Sequence, residues 1–205
     1  MALGRLLQGV VVRAPVLWPL LRRPLRSYFD TAAKGWDERT GAPGPEHLTA
    51  FAAALLRIRP APERVLEIGT GTGVGALLMS REFPTARVRG VDLSEQMVRE
   101  AKGKVGLDPE GRISFKVADA AALPYGEESF DLIAQVNTPP FFTEITRLLR
   151  PGGHVIVATS RGTAIPFYTP ESVLERRFRK LGVETVEIGE AGPGTFYVGR
   201  KENAS

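Results

Sequence analysis

Cysteine is absent from the 205 residues, and histidine is nearly so, with only His47 and His154. The first absence excludes a disulfide scaffold, a thiolate nucleophile and Cys-ligated zinc or iron–sulfur centres. The second leaves too few imidazoles for a histidine-rich metal site. No metal ligands are therefore assigned, and both histidines read as structural or surface residues. No clean run of about 18 apolar residues occurs either, because Arg13, Pro15 and Pro19 interrupt the stretch LLQGVVVRAPVLWPLLRRPL. A conventional membrane-spanning helix is not expected. The phosphate-cradling pattern GxxxxGK[ST] is missing, which excludes a P-loop.

Acidic residues are missing from the first 29 positions, which carry Arg5, Arg13, Arg22, Arg23 and Arg26. Of the 27 basic residues in the chain, these five leave 22 against 23 acids, so the rest is close to neutral. Nucleic-acid enzymes more often present a basic face that tracks phosphates. Such a partner is not expected here. The basic head has three readings: a helix packed over the body, an interfacial segment touching lipid through residues 1–26, or a targeting presequence. Pro15 and Pro19 weigh against one continuous helix. The expected location is cytoplasmic, with at most peripheral membrane attachment.

The following segment, SYFDTAAKGWDERTG, mixes aromatics with acids and ends in the turn-rich GAPGP. Tyr28 and Trp36 are eight residues apart, about two helical turns, and can face one side if the intervening chain stays helical. Both are candidate lid residues over a pocket. Residues 1–45 are accordingly read as a head and lid, and 46–205 as the main domain, a length that fits one sizeable core.

From residue 64 short apolar runs alternate with amphipathic helical stretches. RVLEIG, ARVRGVDL, RISFKVAD, FDLIAQV, HVIVATS, VETVEIGE and TFYVGRK read as strands. VGALLMSREF, SEQMVREAKGKVG, TEITRLL and PESVLERRFRKLG read as helices, with Ser94 as an N-cap. This spacing predicts an α/β fold, a mostly parallel sheet with helices on both faces. The short AGPG between the last two strands makes the final strand antiparallel.

The most informative run is VLEIGTGTG, residues 65–73. Gly69, Gly71 and Gly73 stand between a strand and a helix, where they permit a tight turn and close backbone approach to a ligand. Asp92 stands at the end of the second strand, placed to accept both hydrogens of a ribose diol. Gly71, Gly73 and Ala76 also satisfy a dinucleotide G-x-G-x-x-A pattern. Glu67 opposes that reading, since an acid just before the loop suits an ammonium group better than a pyrophosphate.

VLEIGTGTG, VDLS, VADAAALP, FDLIAQVN and LLRPGGHVIVAT, in that order, resemble the motifs of the class I S-adenosylmethionine-dependent methyltransferases over about residues 28–200. The resemblance implies a Rossmann-like fold with a seven-stranded sheet, and S-adenosyl-L-methionine as cofactor. It places Glu67, Gly69, Thr70, Gly71 and Gly73 around the methionine half, and Asp92 on the ribose. Leu93 then lies beside the adenine, Asp119 near its amino group and Ala120 near its ring. Gln135, Val136 and Asn137 leave the fourth strand where methyl donor and acceptor meet, which makes Gln135 a cofactor-binding candidate and Asn137 a substrate-side one.

YFDTAAKGWD further resembles the entrance segment of small-molecule methyltransferases, including those acting on ubiquinone and menaquinone precursors. The expected reaction is direct methyl transfer to an O, N or C nucleophile of a small acceptor, apolar or aromatic in character. The chain departs from the pattern after Val136, where NTPPFF replaces a longer segment, and no general base is identified. NTPPF partly resembles the N-P-P-[FY] signature of amide and base N-methyltransferases, although Thr138 splits it. The other rivals are a nicotinamide oxidoreductase and a non-enzymatic S-adenosylmethionine-binding or assembly factor on the same domain.

Overall fold

Short runs rich in β-branched and other apolar residues become strands of five to eleven residues, and the amphipathic stretches between most of them become the helices that cover the sheet. The computed structural model describes residues 15–42, 44–108 and 110–203. The head residues 1–14, with Arg5 and Arg13, lie outside the described residues, as does Pro43 of the GAPGP turn. Seven strands are present: β1 (Arg64–Ile68), β2 (Arg87–Asp92), β3 (Ile113–Val117), β4 (Phe130–Val136), β5 (Leu149–Thr159), β6 (Val183–Ala191) and β7 (Gly194–Lys201). The helices are α1 (Trp18–Ala32), α2 (Trp36–Thr40), α3 (Pro45–Leu55), α4 (Val74–Glu82), α5 (Glu95–Lys104), α6 (Phe142–Leu148) and α7 (Glu171–Arg179).

The strands form one sheet in the order β3-β2-β1-β4-β5-β7-β6. All neighbours pair in parallel except β7, which runs antiparallel to both β5 and β6. The expected doubly wound sheet with an antiparallel final strand is what the chain forms. Strand order reverses between β1 and β4, so their carboxyl ends open the crevice in which such sheets bind ligands.

Alternation along β1 divides the two cores. Val65 joins Phe51 and Ala54 of α3, Met79 of α4 and Ala101 of α5 on one face. Leu66 and Ile68 join Phe142 and Ile145 of α6 and Leu174 and Phe178 of α7 on the other. Each fully buried Leu, Ile or Phe contributes roughly 1.5–3 kcal/mol relative to exposure. Both layers therefore clamp the sheet, and Glu67 is carried to the face covered by α4 by the same period of two.

Two local departures from the sequence reading have clear causes. A 3-10 turn over Pro15–Leu17 leads into α1, where Pro19 falls in the first turn and needs no intrahelical donor; Pro24 lies inside the helix, which nonetheless runs unbroken over Trp18–Ala32. Strand β5 starts at Leu149 rather than at His154. Gly152 takes φ +74°, and a side chain on Gly153 would come within 3.0 Å of the Asp131 carbonyl, so the two glycines carry the chain onto β4 early.

Candidate cofactor cleft

Strand β1 ends in a loop whose Gly69, Gly71 and Gly73 all take positive φ, at 73°, 54° and 83°. The Gly69 and Thr70 amides both donate to the Val91 carbonyl, at 2.8 and 2.9 Å, which ties the loop to β2. A side chain at Gly71 would meet no atom within 4 Å, so the crest of the turn is open for a ligand. A side chain at Gly75 would instead collide with the Glu67 carboxyl, which needs this glycine to enter under α4.

Glu67 is 2% exposed, and its carboxyl is bonded to both the loop and the first turn of α4. The Thr70 hydroxyl donates to Oε2, and the Ala76 amide also donates to the carboxyl. Burial pushes its pKa up to about 8 against these bonds, and the Asp92 charge adds to the rise. Glu67 is thus mostly protonated at neutral pH and sits beneath the loop.

Asp92, at the end of β2, accepts the Gly71 amide at 2.8 Å on Oδ2 and the Ser94 amide at 2.9 Å on Oδ1. Burial raises its pKa, opposed by backbone donors from Ser94, Gly71 and Leu93. An ionised carboxylate has about four acceptor positions, so these three donors leave one for a ligand hydroxyl. Leu93 beside it is half-buried. Ser94 caps α5 as expected, its hydroxyl accepting the Met97 amide at 3.1 Å.

Asp119 follows β3 on the same carboxyl edge. Its Oδ1 accepts the Ala121 amide at 2.9 Å, and Ala120 packs on the α6-side core. Two residues that the sequence reading did not single out also reach it. The Trp18 indole N–H donates to Oδ1 at 2.7 Å and the Arg22 guanidinium to Oδ2 at 3.2 Å.

The remaining assigned residues sit at the fourth strand. Gln135 is fully buried, its amide N–H donating to the Pro139 carbonyl at 3.2 Å, while Oε1 has no partner among the described residues. Asn137 takes φ +54° and staples β4 to the end of β5: its Oδ1 accepts the Ser160 amide at 2.8 Å and its Nδ2 donates to the Ser160 hydroxyl at 3.0 Å. Gln135 and Asn137 are therefore both engaged in holding the NTPPFF turn.

The lid candidates do not share one helix. Gly35 takes φ +66° and separates α1 from α2, so the two-turn spacing of Tyr28 and Trp36 is broken. Phe29 reconnects them as the middle ring, 5.2 Å from Tyr28 and 5.7 Å from Trp36. Trp36 is half-buried, whereas Tyr28 is 59% exposed.

Other ties bring this segment over the cleft. Asp37 accepts the Thr72 hydroxyl at 2.5 Å and pairs with Lys104, which also donates to the Thr72 carbonyl at 3.0 Å. Asp30 accepts the Ser94 hydroxyl at 2.6 Å and the Gln96 amide at 3.2 Å. Although burial pushes the Asp30 carboxyl up, these donors and Arg26 hold it below its usual range. The acids of SYFDTAAKGWDERTG were visible in sequence; their partners, some 35 to 67 positions away, were not.

His47 and His154 are both kept below the usual imidazole pKa, chiefly by burial. No group of three or more metal-ligating side chains gathers among the described residues. The open crest at Gly71, the spare acceptor capacity of Asp92 and the place of Asp119 one strand further on fit the nucleoside of S-adenosylmethionine.

Comparison with known proteins agrees with this layout. A methyltransferase-domain family matches residues 65–153. The ubiquinone/menaquinone biosynthesis C-methyltransferase UbiE of Geobacter sulfurreducens is 34% identical over 123 residues, covering 56% of this chain and 45% of that protein. The malonyl-[acyl-carrier protein] O-methyltransferase of Laribacter hongkongensis is 34% identical over 150 residues, 66% of this chain and 50% of its own length. The chain spans about half the length of such curated relatives. A solved S-adenosylmethionine-dependent methyltransferase from Aquifex aeolicus superposes with a TM-score of 0.66 over 83% of this chain and 97% of its own, at 18% identity, which speaks for the shared fold.

Proposed function

Because the chain belongs to the class I S-adenosylmethionine-dependent methyltransferases, we propose that it transfers a methyl group to a nucleophilic O, N or C atom of a small molecule. The observation that carries this reading is the set Gly69 to Gly73, Asp92 and Asp119 on three neighbouring strand ends, with α1 and α2 drawn over them. S-adenosylmethionine supplies a methyl carbon on a positively charged sulfur, so attack forms the new bond as the carbon–sulfur bond breaks and a neutral thioether leaves.

With so activated a donor, the chain's own work is alignment and exclusion of water. Asp92 orients the ribose through its remaining acceptor position, Asp119 addresses the adenine amino group, and Leu93 and Ala120 lie against the adenine. Glu67, protonated and bonded to Thr70 and Ala76, fixes the loop rather than offering a free charge. The Asp37–Thr72–Lys104 cluster holds α2 on the loop, which brings the Trp36 ring toward the acceptor side. Phe29 and Trp36 favour an apolar or aromatic acceptor.

The shared motif with amide and base N-methyltransferases gains no support from geometry, since the Asn137 carbonyl already accepts the Ser160 amide. Peripheral lipid contact does have an observation in its favour. Val16 in the 3-10 turn and Leu20 on α1 are 82% and 73% exposed, and Arg23 follows one turn after Leu20, an apolar and basic combination suited to an anionic interface.

The test of the main reading is radiolabelled methyl transfer from S-adenosylmethionine to a panel of phenols, quinols, carboxylates and amines. Label in an acceptor supports it. Cofactor binding with no transfer across the panel supports the rival reading of a non-enzymatic binding factor.

A further inference from the structure

Among the described residues of α1, Trp18 alone is buried. It is 8% exposed, although Leu20, two positions on, is 73% exposed. The indole lies edge-on to Phe141, with ring centres 5.0 Å apart at 77°. Its N–H reaches Asp119 Oδ1 at 2.7 Å, and one turn later Arg22 reaches Oδ2 at 3.2 Å. With the Ala121 amide also on Oδ1, that oxygen has used both of its acceptor positions. An exocyclic amine directed at the same oxygen must displace one of these donors. The Ala121 bond is part of the turn after β3; the indole bond is made by a separate element.

The far end of α1 is anchored by Asp30 to the Ser94 hydroxyl and the Gln96 amide, whereas the end that carries Trp18 is held in a way that permits displacement. Its ion pairs to the body are Arg22 with Asp119 and Arg26 with Glu95 at 3.3 Å, both with substantial exposure on the arginine side. Exposed ion pairs of this kind each contribute little, about 0–1 kcal/mol. Indole and purine are both planar fused five- and six-membered rings, and both present an N–H donor at the edge. The Trp18 side chain therefore offers Asp119 the same kind of partner that adenine does.

Resting on the cofactor reading above, we propose that Trp18 is a displaceable latch on the adenine side of the cleft, holding the Asp119 carboxylate until the nucleoside amine takes its place. Cofactor binding and the Trp18–Asp119 hydrogen bond are then mutually exclusive. The N-terminal helix senses whether the adenine position is filled, and Trp18 sets the affinity of the site without touching the methyl group.

The test is titration of S-adenosylhomocysteine into wild type and Trp18→Phe, which keeps an aromatic ring by Phe141 and deletes the donor. The latch predicts about three- to tenfold tighter binding by Trp18→Phe, the fold-change expected for one hydrogen bond that no longer has to be broken. A second measurement keeps Trp18 itself: in Trp36→Phe it is the sole tryptophan, and saturating S-adenosylhomocysteine should raise quenching of its emission by acrylamide. Unchanged or weaker binding by Trp18→Phe, or a Trp18 that stays equally shielded at saturation, overturns the latch while leaving the cofactor reading intact. Failure of S-adenosylhomocysteine to bind any of the three forms overturns the cofactor reading and the latch with it.

Discussion

Asp92 serves two masters at the end of β2, and its substitution separates them. It holds the loop through the Gly71, Leu93 and Ser94 amides, and in the proposed function its remaining acceptor position takes a ribose hydroxyl. Asp92→Asn keeps a carbonyl acceptor but loses the charge, so it should weaken S-adenosylhomocysteine binding by about 1–3 kcal/mol, the range for hydrogen bonds to charged groups. The ligand-free melting temperature should move much less, and calorimetric titration paired with thermal melts checks both. A large fall in melting temperature with intact affinity would reduce Asp92 to a loop tie.

Glu67 gives a second residue-scale expectation. A carboxyl raised from 4.5 to about 8 binds its proton more tightly folded than unfolded, so its contribution to stability is present below pH 4.5 and is lost as pH rises toward and through about 8. Raised Asp92 acts in the same direction, while the lowered histidines act oppositely, favouring the fold as pH rises past their range. The difference between wild type and Glu67→Gln isolates the one term: urea unfolding at pH 5 and pH 8.5 should show wild type losing stability relative to the variant at the higher pH. A constant difference would contradict the buried, protonated carboxyl. The sequence made Glu67 visible as an acid before a glycine loop, but its state depends on Gly75 letting α4 close over it, a packing fact that no local pattern states.

At the scale of elements, the lid was only half legible. Tyr28, Phe29 and Trp36 announced an aromatic segment, yet Gly35 breaks the helix on which their spacing was counted, and the rings meet through Phe29 instead. Trp36→Ala should lower the single-turnover rate of methyl transfer while sparing most cofactor affinity, because the loop, Asp92 and Asp119 remain. Each 1.36 kcal/mol of lost alignment is about tenfold in rate. An unchanged transfer rate and acceptor affinity would return Trp36 to a packing role. The strands and helices of the body were legible in kind and order from alternation and helical period, whereas the early start of β5 at Leu149 was not. The partners of α1 were not, because Trp18 and Arg22 find Asp119 about 100 positions away.

The exposed end of α1 also carries an expectation. Flotation with vesicles rich in anionic lipid should retain more of the intact chain than of one starting at residue 27, and salt should release it. Equal partition of both forms would remove the head from any lipid role, and resistance to high salt and carbonate would contradict a merely peripheral contact. No helix among the described residues is long and apolar enough to cross a membrane.

Across the whole molecule, a sheet of order β3-β2-β1-β4-β5-β7-β6 brings the glycine loop, Asp92, Asp119 and the NTPPFF turn to one edge although they span positions 69 to 142. That convergence was legible from motif order, whereas the acceptor side was not. The shortened turn after β4 is organised by Gln135 and Asn137, which face protein groups. Whether this edge holds S-adenosylmethionine or a dinucleotide is decided by calorimetric titration of the protein. One S-adenosylhomocysteine per chain and no specific uptake of NAD are expected; micromolar NAD binding with no heat from either S-adenosylmethionine or S-adenosylhomocysteine would contradict this.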